Sequence, residues 1–579
     1  LLAQRSAATA DLPPALPWQG ASKALVVAAG HPWITHAEAK DFRSTPSYQE
    51  TRQYLERLCA STPSLHLRSL GCTLEGRDLM LVVAAEDAVN WQTGRRDKPV
   101  LLVQAGIHAG EIDGKDAGLM LLRDLANSEK GALLKQVTLL FIPILSPDGH
   151  ERVSPYNRVN QRGPDRMGWR TNARNLNLNR DYAKLDTPEI RAVVALLAQA
   201  QPDLYLDLHV TDGCDTQYDI TYGFVGSHGY SPNQAAWLDG VLRPRLDGAL
   251  QTMGHVPFPY FFSAEDKDPK AGILDFTGSP RFSNSYGDAV HIATLLVENH
   301  SLKPYAQRVL GTYVLLEACL RLLAEHGTDL RQAALKDQAL RPEELPLSWT
   351  FPKEPGPLVD YLGIAFTRQN DQALGFSWIE YLGQRESWKL PFTRQNQAAA
   401  TVRPAKAYWV PAAWPEVIER LSLHGLAMEQ LSEPRELELH FARFTSFEFA
   451  KRPNEGHFTV RTKHSREKRK QTFPAGSVRV ATDQVRGELA SLLLEPDSPD
   501  SFLQWGFFHS VFQATEYIES YLMGPLAKKM MADPKLAAEF QQAVEAGALP
   551  DEASRMEWFY RRSVYADEQY LLYPVGFED

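Results

Sequence analysis

The sequence is poor in cysteine, with 4 in 579 residues and no Cys-x-x-Cys, so a disulfide-built scaffold is excluded. Cys59 and Cys72 follow a helix pattern and open a strand pattern, which leaves one bridge or two buried thiols as alternatives there. No run approaches the ~18 uninterrupted apolar residues that a membrane span needs. The longest are short stretches such as Ala24–Gly30 and Val193–Ala198, so no membrane span is expected. Positive charge is not in excess: 61 Lys+Arg against 71 Asp+Glu leave −10, a balance that repels polyphosphate and makes nucleic acid an unexpected partner. There is no G-x-S-x-G and no Walker A loop, and His150-Glu151-Arg152-Val153-Ser154 fails H-E-x-x-H at its last position. Serine-hydrolase and P-loop chemistry therefore have no foothold.

What is present is the balance of a folded protein, 44% apolar and 23% charged with 37 Gly, 38 Pro and 12 Trp, long enough for two or three domains. The chain begins at Leu1 with small residues and a Pro-rich arm, Asp11–Pro17, which reads as a mature chain whose export signal has been removed, hence periplasmic or secreted. After an arm over 1–46, residues 47–330 alternate strand-like runs with helix-period stretches. The strands are Leu79–Ala84, Pro99–Gly106, Val137–Ile144, Asp203–Val210 and Ala293–Glu298, and the helices Glu111–Leu125, Pro188–Gln199 and Ala306–Leu323. This predicts an α/β unit with a mixed, largely parallel sheet and helices on both faces. The Pro-rich stretch Leu345–Pro357 breaks every pattern and reads as a boundary. Beyond it the texture predicts a β-rich accessory domain over 345–482 and a helical C-terminal region over 483–579, with helices starting at Pro525 and Pro534. The basic run Arg461–Lys470 reads as a solvated hairpin tip, and His424 as a helix-end cation or cap.

The chemistry gathers at strand ends. The run Val100–Gly106 leads directly into Ile107-His108-Ala109-Gly110-Glu111, placing an imidazole and a carboxylate at the carboxyl edge of a strand, where open α/β sheets carry their sites. This donor mix suits Zn²⁺, and in Asp203–His209 a period of two puts Asp207 and His209 on the face opposite three leucines. His209 supplies a third ligand, Asp207 supports it, and a fourth position stays open to water, as in a catalytic zinc site. Glu298, ending the apolar run Ala293–Val297, is the candidate general base. Trp169-Arg170 and Asn179-Arg180 lie in a stretch from Arg158 to Asp181 with six Arg and no core pattern, and such forks suit a carboxylate or an oxyanion.

In order and spacing, His108-x-x-Glu111, Trp169-Arg170, Asn179-Arg180, His209 and Glu298 resemble the zinc metallocarboxypeptidases of the carboxypeptidase A type. Ser69–Arg77 and Pro147-Asp148-Gly149 are similar to further family turns, and the likeness spans about residues 47–326. The resemblance implies one zinc ion on His108, Glu111 and His209, with Glu298 as base and Arg170 polarising the scissile carbonyl. It also implies that Asn179 and Arg180 hold the substrate's free carboxylate. Two positions depart from it. The residue that usually orients the first zinc histidine is Asn177 rather than Asp, and the position of the family's mobile tyrosine is Phe276 or Thr277. Tyr286 is the nearby phenol, with a packed aromatic as the alternative, and Arg281 in the same segment hints at an acidic or polar substrate group. The second half, with Leu493–Ser501 and Trp505-Gly506-Phe507-Phe508, looks like the C-terminal extension of bacterial members. The expected function is a zinc carboxypeptidase acting on peptides. The alternatives are a zinc amidohydrolase that deacylates N-acyl amino acids and a catalytically silent binding protein on a peptidase fold. Oligomeric state is not legible.

Overall fold

The computed structural model describes residues 12–88 and 98–579, so the first eleven residues of the arm lie outside the described residues. Short runs rich in Leu and Val, closed by turn residues, become strands buried on both faces. Val100–Ala105, for instance, is buried throughout and ends at Gly106, whose φ of +67° needs glycine. Eight strands form the first sheet: β1 (Leu65–Cys72), β2 (Asp78–Ala84), β3 (Val100–Ala105), β4 (Thr138–Ile142), β5 (Leu204–Val210), β6 (Ile220–Gly223), β7 (Pro257–Pro259) and β8 (Ala293–Asn299). Their order is β1-β2-β4-β3-β5-β8-β6-β7. The central four, β4-β3-β5-β8, run parallel, and β2 and β6 flank them antiparallel. This is the mixed α/β sheet that the alternating pattern predicts.

Period-two alternation divides the core. Leu101, Val103 and Ala105 of β3 and Leu204, Leu206 and Leu208 of β5 share one cluster with α2 (Asp113–Asn127) and α4 (Tyr305–Gln338). Leu102 and Tyr205 point the other way, toward α3 (Pro188–Ala200). Helix α2 sits close on the sheet because Gly114 faces Leu208, where an added Cβ would come within 2.5 Å of its side chain. That contact fixes the helix that follows His108 and Glu111.

The second half departs from several expectations. Helix α4 runs 34 residues, and the Pro-rich segment opens with a strand, Leu345–Thr350, paired with Gln397–Val402. Proline is tolerated there because the sheet has only two strands and the register shifts beside Pro346. A six-stranded sheet follows, from Glu429–Gln430 through Val478–Ala481, Ala407–Val410, Gly576–Glu578 and Arg435–Phe449 to Val460–Phe473. The C-terminal region is thus helical only in part, since its last strand enters the middle of this sheet. One of its helices, Ser520–Met530, begins before Pro525 and contains it, whereas Pro534–Glu545 starts at its proline as expected. Arg461–Lys470 is no hairpin tip. It lies within the edge strand, where Lys468 pairs with Glu438, Lys470 with Glu436 and Arg466 with Glu495. His424 caps its helix but is no cation: it is fully buried, and burial pushes its pKa down to about 3. All four cysteines are free; Cys72 is exposed and Cys59 half-buried, so neither reading of that pair holds. Among the described residues no helix is long and apolar enough to cross a membrane.

Candidate active site

Three adjacent parallel strands end at one edge and deliver the site. His108 and Glu111 follow β3 through the Gly106 turn, His209 is the penultimate residue of β5, and Glu298 on β8 stands in register beside His209. His108 Nδ1 lies 3.1 Å from Glu111 Oε2, His209 Nδ1 lies 3.1 Å from the same oxygen, and the two Nδ1 atoms are 3.2 Å apart. All three residues are buried. Two zinc ligands at bonds of ~2.0–2.1 Å in tetrahedral array stand about 3.3 Å apart, so the spacing fits.

The surrounding hydrogen bonds fix the tautomers. His108 Nε2–H donates to Asn177 Oδ1 at 3.0 Å, and His209 Nε2–H donates to Asp207 Oδ2 at 2.7 Å. Each ring therefore turns an Nδ1 lone pair toward the Glu111 oxygen, and three acceptor atoms converge on one point, which suits a cation. Asp207 is itself held by Gln104 at 2.8 Å and Ser283 at 2.5 Å. Burial alone would raise the Glu111 pKa, but the charges and hydrogen bonds around it, the Arg158 guanidinium among them, outweigh it and hold the carboxyl well below the usual range. Arg158 and Arg170 both reach Glu111 Oε1, at 3.0 Å each, while Oε2 faces the two histidines and accepts the Val210 N–H at 3.1 Å.

Glu298 is buried, and its Oε2 has no hydrogen-bond partner among the described residues. Burial pushes its pKa up to about 8, against the pull of His209. Arg170, Asn179, Arg180 and Glu298 line one cleft with the three candidate ligands, about 210 Å³ in volume. Asn179 presents Oδ1 to the N–H of Ser283 at 2.9 Å, and Arg180 lies over the Phe282 ring at 4.4 Å. Among the described residues no carboxylate lies within ion-pair distance of Arg180.

Two candidates lie elsewhere. Tyr286 is fully buried and bonds His424 Nδ1 at 3.0 Å, the packed-aromatic alternative. Arg281 does not line the cleft. Asp500 takes its Nε at 2.6 Å and its backbone N–H at 2.8 Å, and its guanidinium stacks on Trp505. Two residues of the site were missed: Arg158, which pairs with Glu111, and Tyr260, which lines the cleft. Arg158 is indistinguishable in sequence from the other arginines of its stretch, and Tyr260 lies just past a three-residue strand, Pro257–Pro259, too short to leave a pattern. Tyr260 lines the cleft beside Phe276, and burial together with Glu298 and Glu111 raises its pKa well above the usual phenol value, so it stays a proton donor.

Residues 51–223 match the zinc carboxypeptidase family, Peptidase_M14. The chain carries a zinc carboxypeptidase domain. That domain makes it a peptide-bond hydrolase. The match includes His108, Glu111, Arg170, Asn179, Arg180 and His209 but ends before Glu298, which stands on geometry. Carboxypeptidase 2 of Trichophyton tonsurans is 22% identical over 483 residues, covering 80% of this chain and 85% of that protein. Carboxypeptidase D of Rattus norvegicus is 26% identical over 174 residues, 29% of this chain and 12% of that one. Among solved structures, carboxypeptidase A of Helicoverpa armigera aligns at a TM-score of 0.38 and 18% identity, covering 54% of this chain and 80% of that one. A metallo-carboxypeptidase of Pseudomonas aeruginosa aligns at 0.37 and 19%, covering 49% and 70%. The fungal similarity thus reaches well past the carboxypeptidase domain into the second half.

Proposed function

We propose that the protein is a zinc-dependent carboxypeptidase that removes the C-terminal residue of peptides, with one Zn²⁺ held by His108, Glu111 and His209. The convergence of three acceptor atoms beside a buried, unpartnered Glu298 oxygen carries this reading. Zinc held there supplies Lewis acidity, which can bring the pKa of a bound water to about 7. The remaining work belongs to the chain. Glu298 takes a proton from the attacking water at Oε2 and returns it to the departing amine as the C–N bond breaks. Arg170, at the cleft wall, faces the carbonyl oxygen on which negative charge collects.

The carboxylate of the substrate falls to Asn179 and Arg180. Burial and the nearby Arg170 both weigh against the Arg180 cation, so an incoming anion gains from relieving that strain. At the opposite end the cleft shares Thr211, Asp212, Tyr260 and Phe262 with a cavity of about 1550 Å³, which Tyr156 and Val159 help to wall. That cavity gives room for residues upstream of the scissile bond and favours a peptide over a single acylated amino acid.

A mixed peptide pool incubated with the enzyme and read by mass spectrometry tests the proposal. Stepwise loss from C-termini that stops with a chelator is the expected result. Internal cuts, or release of fatty acid from acylated amino acids with peptides untouched, would overturn it.

A further inference from the structure

The second half of the chain reaches the metal-binding loop at a hairpin tip. Asn454 and His457 bond to each other across a two-residue turn, N–H to O at 2.7 Å and back at 3.0 Å. The residues between them, Glu455 and Gly456, have φ of +49° and +82°. Positive φ at both central positions is the type I′ requirement, met as a rule by Asn, Asp or Gly. Glycine adopts it freely, but at Glu455 the Cβ crowds the following carbonyl oxygen. A residue kept in a strained conformation is a reason to ask what its side chain does.

The Glu455 side chain accepts the backbone N–H of Asn177 at 2.7 Å through Oε2. Asn177 is the residue whose Oδ1 holds both the His108 Nε2–H and the N–H of Asn179, each at 3.0 Å. The two histidines are therefore backed unequally. His209 faces the Asp207 carboxylate directly, whereas His108 faces a neutral amide with the Glu455 carboxylate immediately behind it. Glu455 is also the chief opposite charge acting on Arg180, which Arg170 and Arg281 crowd with their own. The tip is seated: His457 Nε2 bonds Asp186 at 2.7 Å, its ring packs on Trp505 and Phe507, and Gly456 lies against Leu176.

We propose that Glu455 is a positioning residue of the active site. Through it the second half of the chain supplies, across the Asn177 N–H, the negative charge that the loop lacks behind His108. It also sets Arg180 for the substrate's carboxylate. This rests on the zinc carboxypeptidase reading above.

The test uses the full chain as wild type, E455Q, E455G and the double variant E455G/N177D. Zinc affinity is measured by competition with a chromophoric chelator, kcat and KM on a peptide with a free C-terminus, and Tm by calorimetry. Glycine suits the turn better than Glu, so E455G should hold or raise Tm, which a purely structural role for the side chain does not predict alongside a loss of function. Zinc affinity should fall about tenfold in E455G and somewhat less in E455Q, the low end of what partners of metal ligands contribute. KM should rise in both while kcat changes less. A carboxylate placed at 177 should bring zinc affinity in E455G/N177D back to within about twofold of wild type, leaving the KM defect. Wild-type zinc affinity and KM in E455G and E455Q would overturn the proposal, as would an E455G/N177D affinity no better than that of E455G. A wild type with no zinc affinity would remove the metal reading and this inference together, whereas loss of Tm in E455G with affinity unchanged would remove this inference alone.

Discussion

Glu298 joins two properties that oppose each other in an ordinary side chain: it is an acid, and it is buried with an oxygen that no described residue satisfies. Burial holds its proton up to about pH 8, and only an adjacent cation makes the ionised form affordable. Glu298→Gln keeps the volume and leaves the three candidate ligands untouched but removes the proton acceptor. The variant should bind one zinc per chain by elemental analysis and lose at least roughly two orders of magnitude in turnover. Wild-type turnover would take Glu298 out of the mechanism. At this scale the sequence discloses those groups whose position follows from local rules. His108 and Glu111 sit three residues apart after a strand, and Asp207 and His209 alternate with leucines, so their meeting could be read from spacing. Arg158, Tyr260 and Glu455 come to the site, behind or beside the cleft, on loops and turns whose path is set by contacts far away in sequence, and no spacing encodes that.

Secondary elements show the same division between local and distant causes. The boundary signals of α3 are legible, with Thr187 capping the Ile190 N–H and Pro188 in the first turn, and the helix forms where they say. They do not reveal that Glu189 in that turn is fully buried, with no cation beside its carboxyl group and only weak hydrogen bonds from Asn172 and its own backbone among the described residues. Burial raises its pKa to about 7 from 4.5, with Asp148 and Asp181 adding to the effect. A carboxyl raised in the folded state is harmless below the unfolded value and destabilises increasingly as pH climbs from about 4.5 to about 7, after which the cost is constant. Glu189→Gln removes that cost. Its unfolding free energy by urea should equal wild type at pH 4 and exceed it by an amount of order 3 kcal/mol at pH 8. A pH-independent difference between the two would refute the assignment. The central strands were legible because each is a short apolar run bounded by turn or polar residues. The strand at Leu345 and the last strand, Gly576–Glu578, were not, because their existence depends on partners 47 or more residues away, Gln397–Val402 for the first and Arg435–Phe449 and Ala407–Val410 for the second.

For the whole molecule, the proline-rich stretch suggested a catalytic unit followed by an accessory one, but packing does not stop there. Ile190, Val193, Leu197 and Tyr286 share one apolar cluster with Tyr408, Leu421, Leu493 and Phe502. The second half therefore covers the α3 face of the catalytic sheet as a second layer. Polar contacts cross the same surface: Arg281 to Asp500 at 2.6 Å, His457 to Asp186 at 2.7 Å, and Arg420 Nε to the Lys184 carbonyl at 2.7 Å. Removing the second half would expose that apolar face, take His457 and Arg420 from Asp186 and Asp500 from Arg281, and take Glu455 from Asn177. A chain ended after Gln338 should accordingly be insoluble, or recoverable only as aggregate, although it retains His108, Glu111, His209 and Glu298. Intact protein should unfold in a single calorimetric transition, because halves that share a core of this kind lose it together. A soluble fragment with wild-type kcat/KM, or two well-separated transitions in the intact chain, would show that the shared layer contributes little. The second half would then be an appendage to the carboxypeptidase domain rather than part of its structure.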